Sequence, residues 1–185
     1  MRSVRAVARL LALVLAVSAT AGAGPALAGS AAEINRDVNA AMASLQASVP
    51  ETRQLATQAK AVLVFPTILK AGFLFGAQYG EGALRRQSKT VGFYSTVAAS
   101  YGFQAGVQTF GYALFFMSDS ALQHLVNTGG FELGVGPSIV ILDSGTARAL
   151  TTTTARQDIY AVFFDQRGLM AGAGIQGSKI SRMDR

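Results

Sequence analysis

Two stretches of this chain alternate with a period of two residues and gather glycine on one side of the alternation. From Leu69 to Ala83 the odd positions read Leu69, Ala71, Phe73, Phe75, Ala77, Tyr79, Glu81 and Ala83, whereas Gly72, Gly76, Gly80 and Gly82 share the even face. From Val91 to Phe110 the odd positions include Val91, Phe93, Val97, Tyr101, Phe103 and Val107, and the even ones Gly92, Thr96, Ser100, Gly102, Gln104, Gly106 and Gln108. Alternation of this kind sends successive side chains to opposite faces of a β-sheet, where a helix needs a stripe every three to four residues. Both stretches therefore predict strands, with Arg85 to Lys89 as the connection. The second is longer than an ordinary strand, so Gly102 and Gly106 are expected to mark bends or bulges in a curved sheet.

Upstream the period is helical. Ile34, Val38, Met42, Leu45 and Val49 recur at spacings of four, four, three and four, which is one face of a helix. Ser48 with Glu51 three residues later has the form of a capping box, and Pro50 stands where a first helical turn tolerates it. One helix is expected to end near Ser48 and a second to run from Val49 to about Ala59. The first sets Glu33 and Asp37 against Arg36 on its polar side, whereas a helix lying on an anionic membrane is usually rich in Lys and Arg there. It is expected to pack on its own domain.

Downstream, Gly111 to Met117 reads as a strand, and Ser118 caps a short helix through about Val126 that Gly129-Gly130 stops. Phe131 to Leu142 is strand-like with a Gly-Pro break, and Thr151 to Thr154 is a polar, β-prone run. Ile159 to Phe164 reads as a buried strand, Asp165 to Gly168 as a turn, and Leu169 to Ile180 as a Gly-rich final strand. Helices first and strands mostly afterwards, with short connections, predict an α+β fold. N-terminal helices pack on a curved, largely antiparallel, barrel-like β-sheet with one further short helix.

Residues 1–28 carry Arg2, Arg5 and Arg9, then an apolar run from Leu10 to Ala19, then small residues ending Ala26-Leu27-Ala28. That is the charged start, greasy middle and A-x-A site of a secretory signal peptide, and the apolar run is too short to span a membrane. Cleavage is expected after Ala28, leaving a single domain over 29–185 that is helical over 29–60 and mostly β over 61–185. The whole chain has 16 basic and 10 acidic residues; without the leader's three arginines the net charge falls to +3. So weak a balance argues against nucleic acid as a partner. Export of a chain without cysteine points to a bacterial periplasm or cell exterior.

The composition also restricts chemistry. The chain has no Cys and one His, which removes disulfides, thiolate nucleophiles and multi-histidine metal sites, and no metal or cofactor is expected. Gly172-Ala173-Gly174-Ile175-Gln176-Gly177 matches G-x-G-x-x-G, but a dinucleotide site needs a following helix and an acid about 20 residues later, and the chain ends too soon. His124 has no Ser or Asp partner at a hydrolase spacing, and Glu81, Glu132, Asp143, Asp158 and Asp165 are dispersed singly. Residues 90–118 carry no charge, as a small outer-membrane barrel would, yet the helices at the start and near 121 do not belong in one. Lys70, Arg85, Arg86 and Lys89 are more informative. They fall at strand ends and in the connecting loop, beside the aromatics Phe73 and Tyr79. Positive charge next to apolar side chains suits an anionic lipid headgroup, and the same charges also suit a plain solvated hairpin.

The block Ala61-Val62-Leu63-Val64-Phe65-Pro66, followed by Lys70-Ala71-Gly72-Phe73 and Tyr79-Gly80-Glu81-Gly82, resembles the opening of the SYLF lipid-binding domain family. Tyr94-Ser95-Thr96, Ala99-Ser100, Gln104 with Gly106 and Gln108, Phe116-Met117, Ala121-Leu122, Gly168-Leu169 and Gly177-Ser178-Lys179 continue the resemblance in order, from about Val49 to Arg185. It implies a membrane-lipid-binding module without catalytic residues. Eukaryotic members are associated with phosphoinositides and other anionic lipids, and some with actin; bacterial ones are typically exported single domains. The basic amphipathic segment of eukaryotic members has no counterpart in the helix bearing Arg36, Glu33 and Asp37, and actin is not expected as a partner outside a bacterial cell. The resulting expectation is an exported, non-enzymatic protein, peripheral to the membrane, that meets anionic phospholipid or phosphoinositide-type headgroups through Lys70, Arg85, Arg86 and Lys89. The alternative is a structural cell-envelope protein that binds a protein partner through a sheet edge or an apolar patch.

Overall fold

Ser30 fixes where the first helix begins. Its hydroxyl accepts from the Glu33 amide (3.2 Å) while the Glu33 carboxylate accepts from the Ser30 amide (2.7 Å), a reciprocal capping box. These bonds hold the Glu33 carboxyl below its ordinary range. The computed structural model describes residues 29–72, 75–101, 106–142, 157–168 and 177–185. Helix α1 spans Ala31–Ser48 and α2 spans Thr52–Gln58. The capping box expected at Ser48 and Glu51 does not form. The Ser48 hydroxyl instead donates back to the carbonyls of Ser44 and Leu45, and Glu51 stands at the start of α2 without a side-chain cap. The reason is competition: a serine in a last helical turn finds the free carbonyls of its own helix nearest.

Eight strands follow: β1 Ala61–Gly72, β2 Phe75–Arg86, β3 Lys89–Tyr101, β4 Gly106–Phe116, β5 Gly130–Glu132, β6 Ile139–Leu142, β7 Ile159–Gly168 and β8 Lys179–Met183. Helix α3, Asp119–Thr128, separates β4 from β5. The sheet order is β5-β8-β3-β2-β1-β4-β7-β6. Every pair is antiparallel except β6 with β7. The result is an α+β fold with a curled half-barrel whose edges are β5 and β6.

Strand boundaries differ from the expected ones in instructive ways. The stretch 91–110 is two strands, since β3 ends at Tyr101 and β4 begins at Gly106, and Gly111 lies inside β4. Residues 131–142 divide into β5 and β6. Asp165 to Gly168 is no turn: β7 continues to Gly168, and Asp165, at φ 51°, is a kink within it. The final strand runs on to Met183. The leader, Thr151 to Thr154, and all of the G-x-G-x-x-G segment except Gly177 fall outside the described residues.

A bulge in β1 lies at Pro66; of the two glycines expected at bends, Gly102 falls outside the described residues and Gly106 opens β4 at φ 143°. Val64 pairs with Ala83 and Thr67 with Glu81, so Phe65 and Pro66 together oppose Gly82. On the other side Phe65 pairs with Tyr112 and Ile68 with Phe110, so Pro66 and Thr67 together oppose Gly111. Proline cannot donate to a ladder, and the chain accommodates it by a bulge. Glycine flanks the bulge on both neighbouring strands because the backbones close in there. A Cβ on Gly111 would stand 2.8 Å from the Pro66 carbonyl oxygen.

Two cores lie on opposite faces of the sheet. On the concave face Leu63, Phe65, Ile68, Leu84, Phe110, Tyr112, Leu114 and Phe116 pack with Leu122 and Leu125 of α3. On the convex face Ile34, Val38, Ala41 and Leu45 of α1 cover Val62, Val64, Ala83, Phe115, Val162 and Phe164. The apolar stripe of α1 is thus buried in its own domain: Val38 and Leu45 are 0% exposed.

Asp158 joins three elements. One carboxylate oxygen accepts from Ser118, the cap of α3 (2.7 Å), and the other from the Ser138 hydroxyl ahead of β6 (3.0 Å). These bonds hold its carboxyl below the ordinary range, Ser118 contributing most. A depressed folded value stabilises the fold above the unfolded pKa of about 4, and the gain is lost as pH falls through the folded value. Asp158→Asn is expected to cost about 1 kcal/mol at pH 7 and to flatten this part of the acid limb, as urea titrations between pH 3 and pH 7 will show.

Candidate functional site

Gln87 and Ser88 join β2 to β3 with φ of 48° and 66°, the geometry of a two-residue hairpin turn. The turn sets Arg86 directly opposite Lys89, both exposed, with Arg85 one residue inward. Lys70 does not join them. It pairs with Gln78 on β2, seven residues from Arg85 and so roughly 23 Å along the strand. Successive hairpins turn at opposite ends of a sheet, so the constellation expected from sequence is split into three residues and one.

Arg85 has a structural task as well. It donates through Nη1 to Asn39 Oδ1 of α1 (2.9 Å) and through Nη2 to the Ser88 carbonyl (2.6 Å). Thr90 adds a bond to Asn35 Oδ1 of the same helix (2.5 Å). Together these fasten α1 to the hairpin. The buried Nε of Arg85 has no partner among the described residues.

Between α1, α2 and this turn lies a cleft of about 430 Å³. Arg53 of α2 and Arg85 stand at its wall, Asn39, Gln46 and Gln87 add polar groups, and Met42 and Val62 are among the apolar lining. None of its described lining residues is acidic. Two guanidinium groups beside an apolar wall can take an oxyanion that carries an apolar appendage, and Arg86 and Lys89 extend the positive charge to the rim. Sequence reasoning missed Arg53. One basic residue on a short helix carries no signal of its own, and only the return of α2 alongside the hairpin brings it to Arg85.

The opposite end of the sheet is built differently. Beyond the Pro66 bulge, Leu69 pairs with Tyr79, Tyr79 with Val97, Ala71 with Ala77 and Val107, and Ala77 with Ala99. These side chains share the convex face where α1 no longer covers it. Leu69 is 52% exposed, Val97 49%, Val107 57% and Phe75 73%. The concave face here is polar: Lys70 is flanked by Gln78 and Gln108, both buried, and Gln78 donates to Ser178 (2.7 Å). Phe73, expected beside the basic loop, lies outside the described residues, and Tyr79 belongs to this far end.

Where the apolar face meets α1, Glu81 collects three donors. Its carboxylate accepts from the Gly29 nitrogen (2.8 Å), the Tyr79 hydroxyl (2.7 Å) and Arg185 (3.2 Å). Burial, then the bond to Glu81, push the Tyr79 phenol up to about 12. His124 is structural, its ring edge-to-face with Phe131 at 5.8 Å. Among the described residues no group of three or more His, Asp or Glu is placed to hold a metal, and no helix is long and apolar enough to cross a membrane, which says nothing about strands.

Residues 97–185 match the family described as Las17-binding protein actin regulator, Ysc84. Protein YSC84 of Saccharomyces cerevisiae is 29% identical over 125 residues, 64% of this chain. Both matches support the SYLF, or Ysc84, family. It spans about a quarter of the yeast relative, 27% of that protein's length. The SYLF match begins within β3 and takes in β4 to β8 and α3; Arg53 and Arg85 lie upstream of it.

Proposed function

We propose that this chain is an exported, non-enzymatic SYLF protein that binds anionic phospholipid headgroups, with phosphoinositide-type groups in the same chemical class. The observation that carries the reading is the cleft, which holds Arg53 and Arg85 against apolar side chains with no acidic residue in its described lining. Arg86 and Lys89 at its rim make no salt bridge to a described residue and attract an anionic surface over a Debye length of about 8 Å. The family is described as an actin regulator; an exported chain has no actin to meet, so that activity is not carried over. Export rests on the leader-like residues 1–28 and accords with the place of Gly29, whose nitrogen faces the Glu81 carboxylate. Freed by cleavage after Ala28, that nitrogen becomes an ammonium in an ion pair.

Flotation with vesicles tests the reading. The full gene is expressed with its own leader, and the product is purified and mixed with phosphatidylglycerol–phosphatidylcholine vesicles or with phosphatidylcholine alone. Binding is expected only with the anionic lipid and is expected to weaken with salt. Replacing Arg53, Arg86 and Lys89 by Gln should weaken it tenfold or more, since each charge near such a surface contributes about 1 kcal/mol. Arg85 is kept because it fastens α1. Arg182→Gln, on β8, serves as the matched control. Equal binding by the triple variant removes the cleft as the headgroup site, and binding indifferent to lipid charge removes the reading.

A further inference from the structure

We propose that the far end of the half-barrel, beyond the Pro66 bulge, inserts its convex face into the outer layer of an anionic bilayer. The proposal rests on the lipid-binding reading above but concerns a different surface.

The polarity of this end is inverted relative to a soluble sheet. Leu69, Phe75, Tyr79, Val97 and Val107 face outward and are between 46% and 73% exposed, whereas Gln78 and Gln108 face inward and are buried. A water-soluble sheet with one solvated face puts its polar side chains there. The exposed side chains are direct ladder partners or neighbours across β3, β2, β1 and β4, so they form one patch and not scattered exposures. From the row of Leu69 and Tyr79 to the row of Gly72 and Gly76 is three ladder positions, or about 10 Å. That is the depth to which interfacial elements enter a headgroup and acyl boundary.

Charge selects the occupant. From those rows outward the charged groups among the described residues are Lys70, Arg167, opposite Thr109, Lys179, opposite Val97, and Glu132, which pairs with Lys179 from the edge strand β5. Three are basic and one is acidic, so the end is net positive. A second copy docking on this face through a two-fold contact would bring like charges together, whereas an anionic bilayer supplies apolar depth and opposite charge at once. In sequence, residues 73–74, 102–105 and 169–176, which link β1 to β2, β3 to β4 and β7 to β8, also carry no charge. The headgroup cleft lies toward the other end of β2, about 30 Å away, so the two surfaces are separate and can be altered independently.

Because the chain has no Trp, Phe75→Trp installs a single fluorescent reporter in the patch. On phosphatidylglycerol–phosphatidylcholine vesicles its emission is expected to shift to the blue and to be quenched by brominated acyl chains. Adding Leu69→Ser, Val97→Ser and Val107→Ser should abolish shift and quenching, with circular dichroism unchanged because these side chains are exposed in the fold. The salt-sensitive flotation conferred by the cleft should persist in that variant. The reporter carrying the Gln changes at Arg53, Arg86 and Lys89 should still insert. Unaltered quenching in the serine variant overturns the proposal, as does a reporter that floats with vesicles without a blue shift. A blue shift without vesicles, at the mass of a dimer, also overturns it and identifies the patch as a contact between copies. If the parent floats with no vesicle, the lipid-binding reading itself falls.

Discussion

Protein carrying Gly82→Ala is expected to be destabilised by about 4 kcal/mol and to accumulate poorly. Gly82 faces the two residues of the β1 bulge, Phe65 and Pro66. An added Cβ would overlap the Val64 carbonyl oxygen and come within 2.8 Å of Phe65 Cδ1. Neither can give way easily: the carbonyl is backbone, and the Phe65 ring is fully buried against Tyr112 at 4.9 Å. Overpacking a core with room to relax costs about 1–3 kcal/mol, and a backbone collision at the bulge exceeds that. Ala77→Val, five residues away on the exposed convex face, should stay within about 0.5 kcal/mol. Urea unfolding followed by circular dichroism compares the two. A Gly82→Ala midpoint equal to that of the parent would show that the bulge does not form between Phe65 and Pro66.

Glu81→Ala is expected to cost about 3 kcal/mol in the processed protein. The Glu81 side chain is only 11% exposed and accepts from Gly29, Tyr79 and Arg185. Truncation leaves Arg185, the phenol and, after cleavage at Ala28, an ammonium around a vacated site, and breaking a largely buried charged cluster costs several kcal/mol. The loss should shrink by about 1 kcal/mol when Ala28 is retained, because an amide then stands where the ammonium was. The Tyr79 phenol, raised to about 12 chiefly by burial and then by Glu81, should fall part of the way toward 10, as ultraviolet titration will show. Equal stability of the two N-terminal forms, each with Glu81 intact, would mean that Gly29 does not pair with Glu81 as an ammonium.

How legible the fold was depends on the distance over which each signal acts. The stripe of Ile34, Val38 and Leu45 and the cap at Ser118 are short-range features, and both appear where the pattern put them. The capping box was read at Ser48 instead of Ser30 because the same residue types stand at both ends of α1, and only the helix direction distinguishes a free amide from a free carbonyl. The turn at 87–88 brings Arg85, Arg86 and Lys89 to one end, within the reach of a hairpin reading. Lys70 needed the strand register, which no local pattern contains.

Period and caps are properties of neighbours along the chain, and they suffice to predict helices followed by a curved, largely antiparallel sheet. The same alternation assigns the side chains that share a face of each strand. Which face is covered depends on packing between distant parts of the chain. The odd side chains of β2 change from exposed Tyr79 to buried Ala83 within four residues, although the alternation continues unchanged. Burial there depends on where α1 lies over the sheet and where the Pro66 bulge interrupts β1. The same long-range packing brings Arg53 to Arg85 and leaves Leu69, Val97 and Val107 uncovered, since the area a helix can shield is set by its length and docking position and not by the pattern of the strands beneath it.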